Sequence, residues 1–256
     1  MLLNVRPKTI EVFAEFEPFD DLKAIIMKTN SGMGMTHNLV RLLGQSIVSG
    51  DYDKKPFPTE ADLSINYSSS RTVTREAVKM LTAKGLLSSK PRNGTKVEPI
   101  DQWNLLDPDV IGWMMQRPYS AKLFADFTHM RLAVEPHACA LAAQRQDKDD
   151  IAQIRHHLEQ MRESSDHSQS VLEADIDFHV AILKASGNVF FWQLKELTRV
   201  ALNISISLTN KIAGHTADIE AHEHVLINIE QGKAEQAEAA MTTILEDALH
   251  LIQSQN

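Results

Sequence analysis

Residues 56–99 read PFPTEADLSINYSSSRTVTREAVKMLTAKGLLSSKPRNGTKVEP, and the caps and apolar spacing in this stretch decide the fold of the N-terminal part. Thr59 can cap a short helix running through Tyr67. Ser70 can cap a second, containing Val73, Ala77, Val78 and Leu81, that ends near Gly85. Only Ser68-Ser69 lie between the two. Upstream, Leu39, Val40, Leu42, Leu43, Ile47 and Val48 recur at helical spacing from Thr36 until Ser49-Gly50, which predicts a preceding helix. Three helices with so tight a connection between the last two predict a helix-turn-helix. Downstream, Leu86-Leu87-Ser88 and Thr95-Lys96-Val97 flank the turn sequence Lys90-Pro91-Arg92-Asn93-Gly94, which predicts a two-stranded wing.

Charge is distributed in a way that supports a separate module. The 256 residues carry a net charge of -8, but residues 36–100 hold 10 basic and 6 acidic side chains, whereas residues 101–256 hold 12 and 23. The first 35 residues hold 4 and 5. A basic segment beside an acidic one predicts a phosphate-binding module joined to a domain with another task. On the second helix of the unit, Arg71 and Arg75 are four residues apart and share a face with Thr72 beside them and Lys79 one turn on. That face can be merely solvated. Together with the short turn and the wing cations Lys90, Arg92 and Lys96, it predicts contact with a DNA groove.

A hydrophobic share of 43% is enough for a core, and no apolar run reaches the roughly 18 residues that crossing a bilayer requires. No membrane partner is expected. The acidic start, with Glu11, Glu15, Glu17, Asp20 and Asp21, does not read as a signal peptide. The single Cys139 cannot form an intramolecular disulfide, so the expected compartment is the reducing cytoplasm. Residues 1–33 show no clean period and are read as a dispensable leader, with a start at Met27, Met33 or Met35.

Beyond a linker at 99–104, helical periodicity runs to the end of the chain. Helices are expected over about 105–115, 120–144, 148–164, 169–186, 189–212, 216–231 and 233–253, separated by Pro118, Asp147, Ser164-Ser165, Gly187-Asn188, Gly214 and Gly232. The fold class is therefore mainly α: a winged helix-turn-helix over 34–98 and an all-α bundle of six or seven helices over 105–256. Within it Asp175 and His179 stand at i and i+4, placing a carboxylate and an imidazole on one helix face where they can share a metal ion. An ordinary Asp-to-His surface contact has the same spacing. His222 can join them, because it shares the core-facing side of its helix with Leu226 and Ile229, whereas His224 faces elsewhere. His129 and His137 can line a pocket near Arg131, although a packing role explains them as well. His156, His157, His167 and His215 fall in charged or loop contexts and are expected in solvent.

The 56–99 stretch resembles the winged helix of GntR-type bacterial transcription regulators, whose pattern runs Leu-Pro-Ser-Glu, Ser-Arg-x-x-x-Arg-Glu-Ala, Gly-Leu, Gly-Thr-x-Val. The resemblance implies that Arg71, Thr72 and Arg75 meet the DNA and that the wing near Arg92 to Gly94 enters the minor groove. Two positions depart from that pattern, Ala61 and Arg92. The second domain resembles the FadR-like branch with its FCD ligand domain, through Met-Arg-Leu-Ala-Val-Glu-Pro at 130–136, Glu-Ala-Asp-Ile-Asp-Phe-His at 173–179, Ser-Gly-Asn at 186–188, and 221–241 with Gly232 and Met241. That branch implies a divalent metal, zinc with nickel or manganese as alternatives, held by Asp175, His179 and His222, and an anionic effector held by Arg131. Its fourth ligand, a histidine, is replaced by Ile244.

The junction Gln102-Trp103-Asn104-Leu105-Leu106-Asp107, with Asp109-Val110 and Trp113, is similar to that of repressors of sugar-acid (D-galactonate-type) operons, which implies a sugar-acid effector. The function expected is a homodimeric, ligand-responsive repressor that binds double-stranded operator DNA and leaves it when the effector arrives. Another small carboxylate as effector is the alternative. A metal-dependent hydrolase is the remote one, because no HExxH or GxSxG arrangement accompanies the metal residues, and no enzyme is expected.

Overall fold

The computed structural model describes residues 34–90, 94–115, 121–163, 168–213 and 218–254. The leader read over 1–33 and the wing-tip Arg92 lie outside them. The N-terminal unit is α1 (Met35–Val48), α2 (Glu60–Asn66), α3 (Arg71–Ala83) and an antiparallel pair, β1 (Leu87–Lys90) and β2 (Gly94–Val97). Both expected caps form. Thr59 closes a capping box with Asp62, and the Ser70 hydroxyl accepts from Val73 N at 3.2 Å. The strands extend to Lys90 and begin at Gly94 rather than Thr95, Lys90 pairing with Gly94, whose φ of +70° is a left-handed conformation that suits glycine at the turn.

One feature of the helix-turn-helix departs from expectation. Val73 is only half-buried, while Thr74 is fully buried. The Thr74 hydroxyl lies 2.9 Å from that of Ser64 in α2 and 2.8 Å from that of Ser69 in the turn. A buried hydroxyl so satisfied braces both helices and the connection at one point. Leu43, Leu63, Leu81 and Leu86 are completely buried around it.

The bundle comprises α4 (Pro108–Met115), α5 (Ala121–Arg145), α6 (Lys148–Glu163), α7 (Ser168–Ala185), α8 (Val189–Gln193), α9 (Lys195–Ala213), α10 (Ile219–Glu230) and α11 (Ala234–Gln253). All seven expected helices are present, and the one read as 189–212 is split at Leu194. The split carries no Gly or Pro. It is made by packing: Phe191 reaches the core built on Phe178 and Ile182, Leu197 and Ala201 enter a second core with Ile176 and Val180, and Leu194 between them packs against both.

The segment read as a linker is packed. Trp103 Nε1 donates to the Glu98 carbonyl at 2.7 Å, and Asn104 N donates to the Lys84 carbonyl at 3.0 Å. A side chain on Gly85 would stand 2.3 Å from the Gln102 carbonyl, so only glycine admits this crossing. Lys84 Nζ lies 2.8 Å from both Asp107 and Asp109. Burial disfavours its charge, but those two carboxylates hold its pKa above the usual lysine value. Helix α4 then enters two cores: Val110, Trp113 and Met114 pack with α1 and α3, and Ile111 packs with α9. At Gly44 of α1 a Cβ would sit 2.2 to 2.6 Å from the Trp113 ring, so the indole lies directly on the α1 backbone.

Candidate functional site

Two arrangements carry chemistry, one exposed and one buried. The exposed one is α3, where Arg71, Thr72, Arg75 and Lys79 all face solvent on the side opposite Ala77, Val78 and Leu81. The guanidinium of Arg75 reaches only a loose ion pair with Glu60, at 3.6 Å with a 66% exposed side chain. Such a pair costs little to break. Gly94 at the wing has nothing within 4 Å of where a Cβ would be, and Lys96 is exposed beside it.

The buried arrangement lies where α5, α7 and α10 meet. Arg131, Glu135, Asp175, His179 and His222 are each 4% exposed or less. Arg131 and Glu135 form a forked ion pair along α5, with Nε to Oε1 at 2.7 Å and Nη2 to Oε2 at 3.1 Å. The same glutamate accepts from His179, Oε2 lying 2.9 Å from Nδ1. Arg131 Nη2 is 3.4 Å from both ring nitrogens of His179, which places it over the face of the imidazole.

The other nitrogens converge. His179 Nε2 is 3.3 Å and His222 Nε2 3.2 Å from the same Asp175 Oδ1, yet neither Asp175 Oδ1 nor His222 Nε2 makes a hydrogen bond. His222 Nδ1 is committed instead to the Asp218 carbonyl, 2.6 Å away. Each histidine thus gives its Nδ1–H to a fixed acceptor and turns a lone pair on Nε2 toward a carboxylate oxygen. Two lone pairs and an anionic oxygen facing one another repel unless a metal ion or a proton lies between them. Among the described residues this is the one cluster of three whose ligand atoms lie within 4.8 Å of one another, so the donor set fits a divalent ion.

Without an ion, the same groups are held together by their own charges. Burial would raise the Glu135 pKa, but Arg131 and His179 bring it down to about 2. Burial likewise opposes the Asp175 charge, and both histidines hold its carboxyl well below the usual range. His179 feels burial first, which disfavours its cation, but the Glu135 and Asp175 carboxylates outweigh that and raise its pKa.

The sequence-derived site residues separate clearly. Arg131, Asp175, His179 and His222 come together, and His224 faces solvent as its phase requires. His129 and His137 are exposed on α5 and do not line the cluster, His137 lying edge-on to Phe191 with ring centroids 6.2 Å apart. His156 is exposed and His157 half-buried, with Nδ1 3.0 Å from Gln160, while His167 and His215 lie outside the described residues. Ile244 is half-buried and packs against the main bundle core. Glu135 went unread, although it stands four residues after Arg131 just as His179 does after Asp175.

Comparison with known proteins places the chain. It is 36% identical over 163 residues to the galactonate operon transcriptional repressor of Escherichia coli, a match covering 63% of this chain and 71% of that protein. The pattern of bacterial regulatory proteins of the gntR family matches residues 36–97, and that of the FCD domain matches 126–247. The chain belongs to the GntR family. A second relative of this GntR-family regulator is the Uxu operon regulator of Haemophilus influenzae, 28% identical over 240 residues, 89% of this chain and 83% of that one. Its fold is like that of Lar, whose structure is described as controlling the Listeria monocytogenes agr system, with a TM-score of 0.62 at 16% identity over 89% of this chain and 100% of the other. It is thus a transcription regulator with a winged helix-turn-helix followed by a helical ligand domain, and no described helix is long and apolar enough to cross a membrane.

Proposed function

We propose that this regulator is a cytoplasmic homodimeric repressor that binds a palindromic operator and releases it when a sugar acid occupies the bundle beside a divalent metal. On the DNA side, Arg71, Thr72 and Arg75 enter the major groove, and the wing from Arg92 to Gly94 reaches the minor groove. Their exposure on α3 supports this, since guanidinium groups free of strong partners can read guanine edges or phosphates. Two modules on a symmetric site supply the specificity that one small interface lacks.

The observation that carries the effector reading is the convergence of both histidine Nε2 atoms on one carboxylate oxygen. Both Nε2 lone pairs face the unpartnered Asp175 Oδ1, in a bundle related to a galactonate operon repressor. Asp175, His179 and His222 would hold the ion, for which zinc fits the donor set best and nickel or manganese also suit it. When bound, that ion would offer open coordination positions to a carboxylate and a neighbouring hydroxyl of the effector. Glu135 fixes the His179 ring, and the Asp218 carbonyl fixes that of His222. Arg131 stands against the same cluster, its charge balanced by Glu135. Through α9 and α4 the bundle core is continuous with the packing of Trp113 on α1, so an effector that favours one placement of these helices by a few kcal/mol would alter the DNA grip.

The test is a gel shift of the full chain on its own promoter with galactonate, with and without a chelator, alongside metal analysis of the purified protein. Release by galactonate that chelation or Asp175→Ala prevents is expected. Release that is indifferent to both would remove the metal from the mechanism. A response to lactate or an acyl-CoA instead of sugar acids would replace the effector class.

A further inference from the structure

Among the described residues, three buried side-chain polar atoms have no hydrogen-bond partner: Asp175 Oδ1, His222 Nε2 and Ser205 Oγ. The first two belong to the cluster above. Ser205, on α9, is 4% exposed. A hydroxyl buried without a partner costs about 1–3 kcal/mol, and alanine would remove that cost at this position. Its presence calls for a partner that none of the described residues supplies.

Helical phase gives the direction of that hydroxyl. On α9, Arg199 pairs with Asp177 and so marks the edge nearest α7, while Val200 lies 3.3 Å from where a Cβ on Gly112 would stand and marks the edge nearest α4. Between those edges, on the inward side, run Thr198, Ala201 and Ser205, each 4% exposed or less and spaced by three and four residues. Helix α7 is built the same way. Ile176 and Val180 pack with Leu202 and Ile206 of α9, Phe178 and Ile182 pack into the other core, and Asp175 and His179 lie between these two flanks. The inward stripe of α9 and the Asp175/His179 stripe of α7 therefore border one interior.

We propose that Ser205 reads the effector: its hydroxyl bonds a hydroxyl of a polyhydroxy acid whose carboxylate end lies at the Asp175, His179 and His222 cluster. This rests on the function proposed above and adds to it the residue that selects a hydroxylated effector. A serine hydroxyl can donate to or accept from a sugar hydroxyl. An acyl chain in the same place would leave it unpaired, and a site built to bond a hydroxyl rejects a ligand lacking one.

The variant is Ser205→Ala in the full-length protein, followed by thermal melting, titration with zinc or nickel alone, and titration with galactonate. Removing an unpartnered hydroxyl should leave Tm unchanged or slightly raised and metal affinity unaltered, while galactonate binds about tenfold more weakly. Galactonate affinity within twofold of the unaltered protein would overturn the inference and leave the proposed function standing. A Tm lowered by several degrees would overturn it too, by revealing a structural partner for Ser205. Failure of the unaltered, metal-loaded protein to bind galactonate would instead end the proposed function, and this inference with it.

Discussion

Arg75 stands on α3 with two thirds of its side chain in water and a loose neighbour 3.6 Å away, whereas Arg131 is 4% exposed on α5 and gripped by Glu135 at 2.7 Å. The two are the same residue type under opposite physical conditions. An exposed guanidinium stays hydrated, adds little to folding and remains free for a phosphate or a base. A buried one has lost its water, so its partner is obligatory, and removing either leaves an uncompensated charge inside the bundle. The two sites thus differ in kind: helix α3 exposes its arginines, and the buried cluster pairs its own charges.

That contrast can be broken most severely at Arg131. Arg131→Ala leaves the buried Glu135 with only His179 opposite it and should cost about 3–5 kcal/mol in chemical denaturation. A loss below about 1 kcal/mol would mean that water reaches the cluster. Arg75→Ala is the counterpart, and Arg71→Ala should behave alike: Tm stays put while operator affinity falls about 100-fold, because the proposed dimer loses the contact in both half-sites. A melt lowered with DNA binding intact would reverse the assignment. At the junction, Gly44→Ala drives a methyl into the Trp113 ring and should destabilise by about 1–2 kcal/mol despite better helix propensity. Thermal melting of that variant reads how rigidly the two regions are joined.

The smallest effect belongs to a charge between the extremes. Burial would raise the Asp150 pKa, but Arg145 and Lys184, 2.6 and 3.2 Å away, bring it below the usual carboxylate value. A carboxyl with a lower pKa in the folded state adds stability above its unfolded pKa of about 4 and loses it as the pH falls through the folded value. Because the Arg145 and Lys184 side chains are 40% and 56% exposed, Asp150→Asn should cost under about 1 kcal/mol at pH 7 and less at about pH 3. Equal costs at the two pH values would show that hydrogen bonding, not charge, sustains this contact.

What was legible in the sequence was whatever one helix holds by itself. The caps at Thr59 and Ser70, the outward arginines of α3, and Asp175 with His179 follow from spacing alone, and phase also chose His222 over His224. Contacts between helices were not legible in that way. The Arg131 to His179 approach spans 48 residues, and nothing in either local pattern announces it. Glu135 was within reach of the i, i+4 rule and was missed because it was read only as part of a family pattern. The break at Leu194 has no sequence punctuation, since it follows from two cores claiming neighbouring side chains. Trp113 on Gly44 was hidden for the same reason: a bulky ring and an absent one complement each other only after folding.

That last contact has an engineering corollary. Because Val110, Trp113 and Met114 complete the N-terminal core, the winged helix cannot be excised at residue 98 and grafted onto another sensor without leaving an open hydrophobic socket. A working chimera would have to be cut after helix α4, carrying the tryptophan along with the reading head it seals.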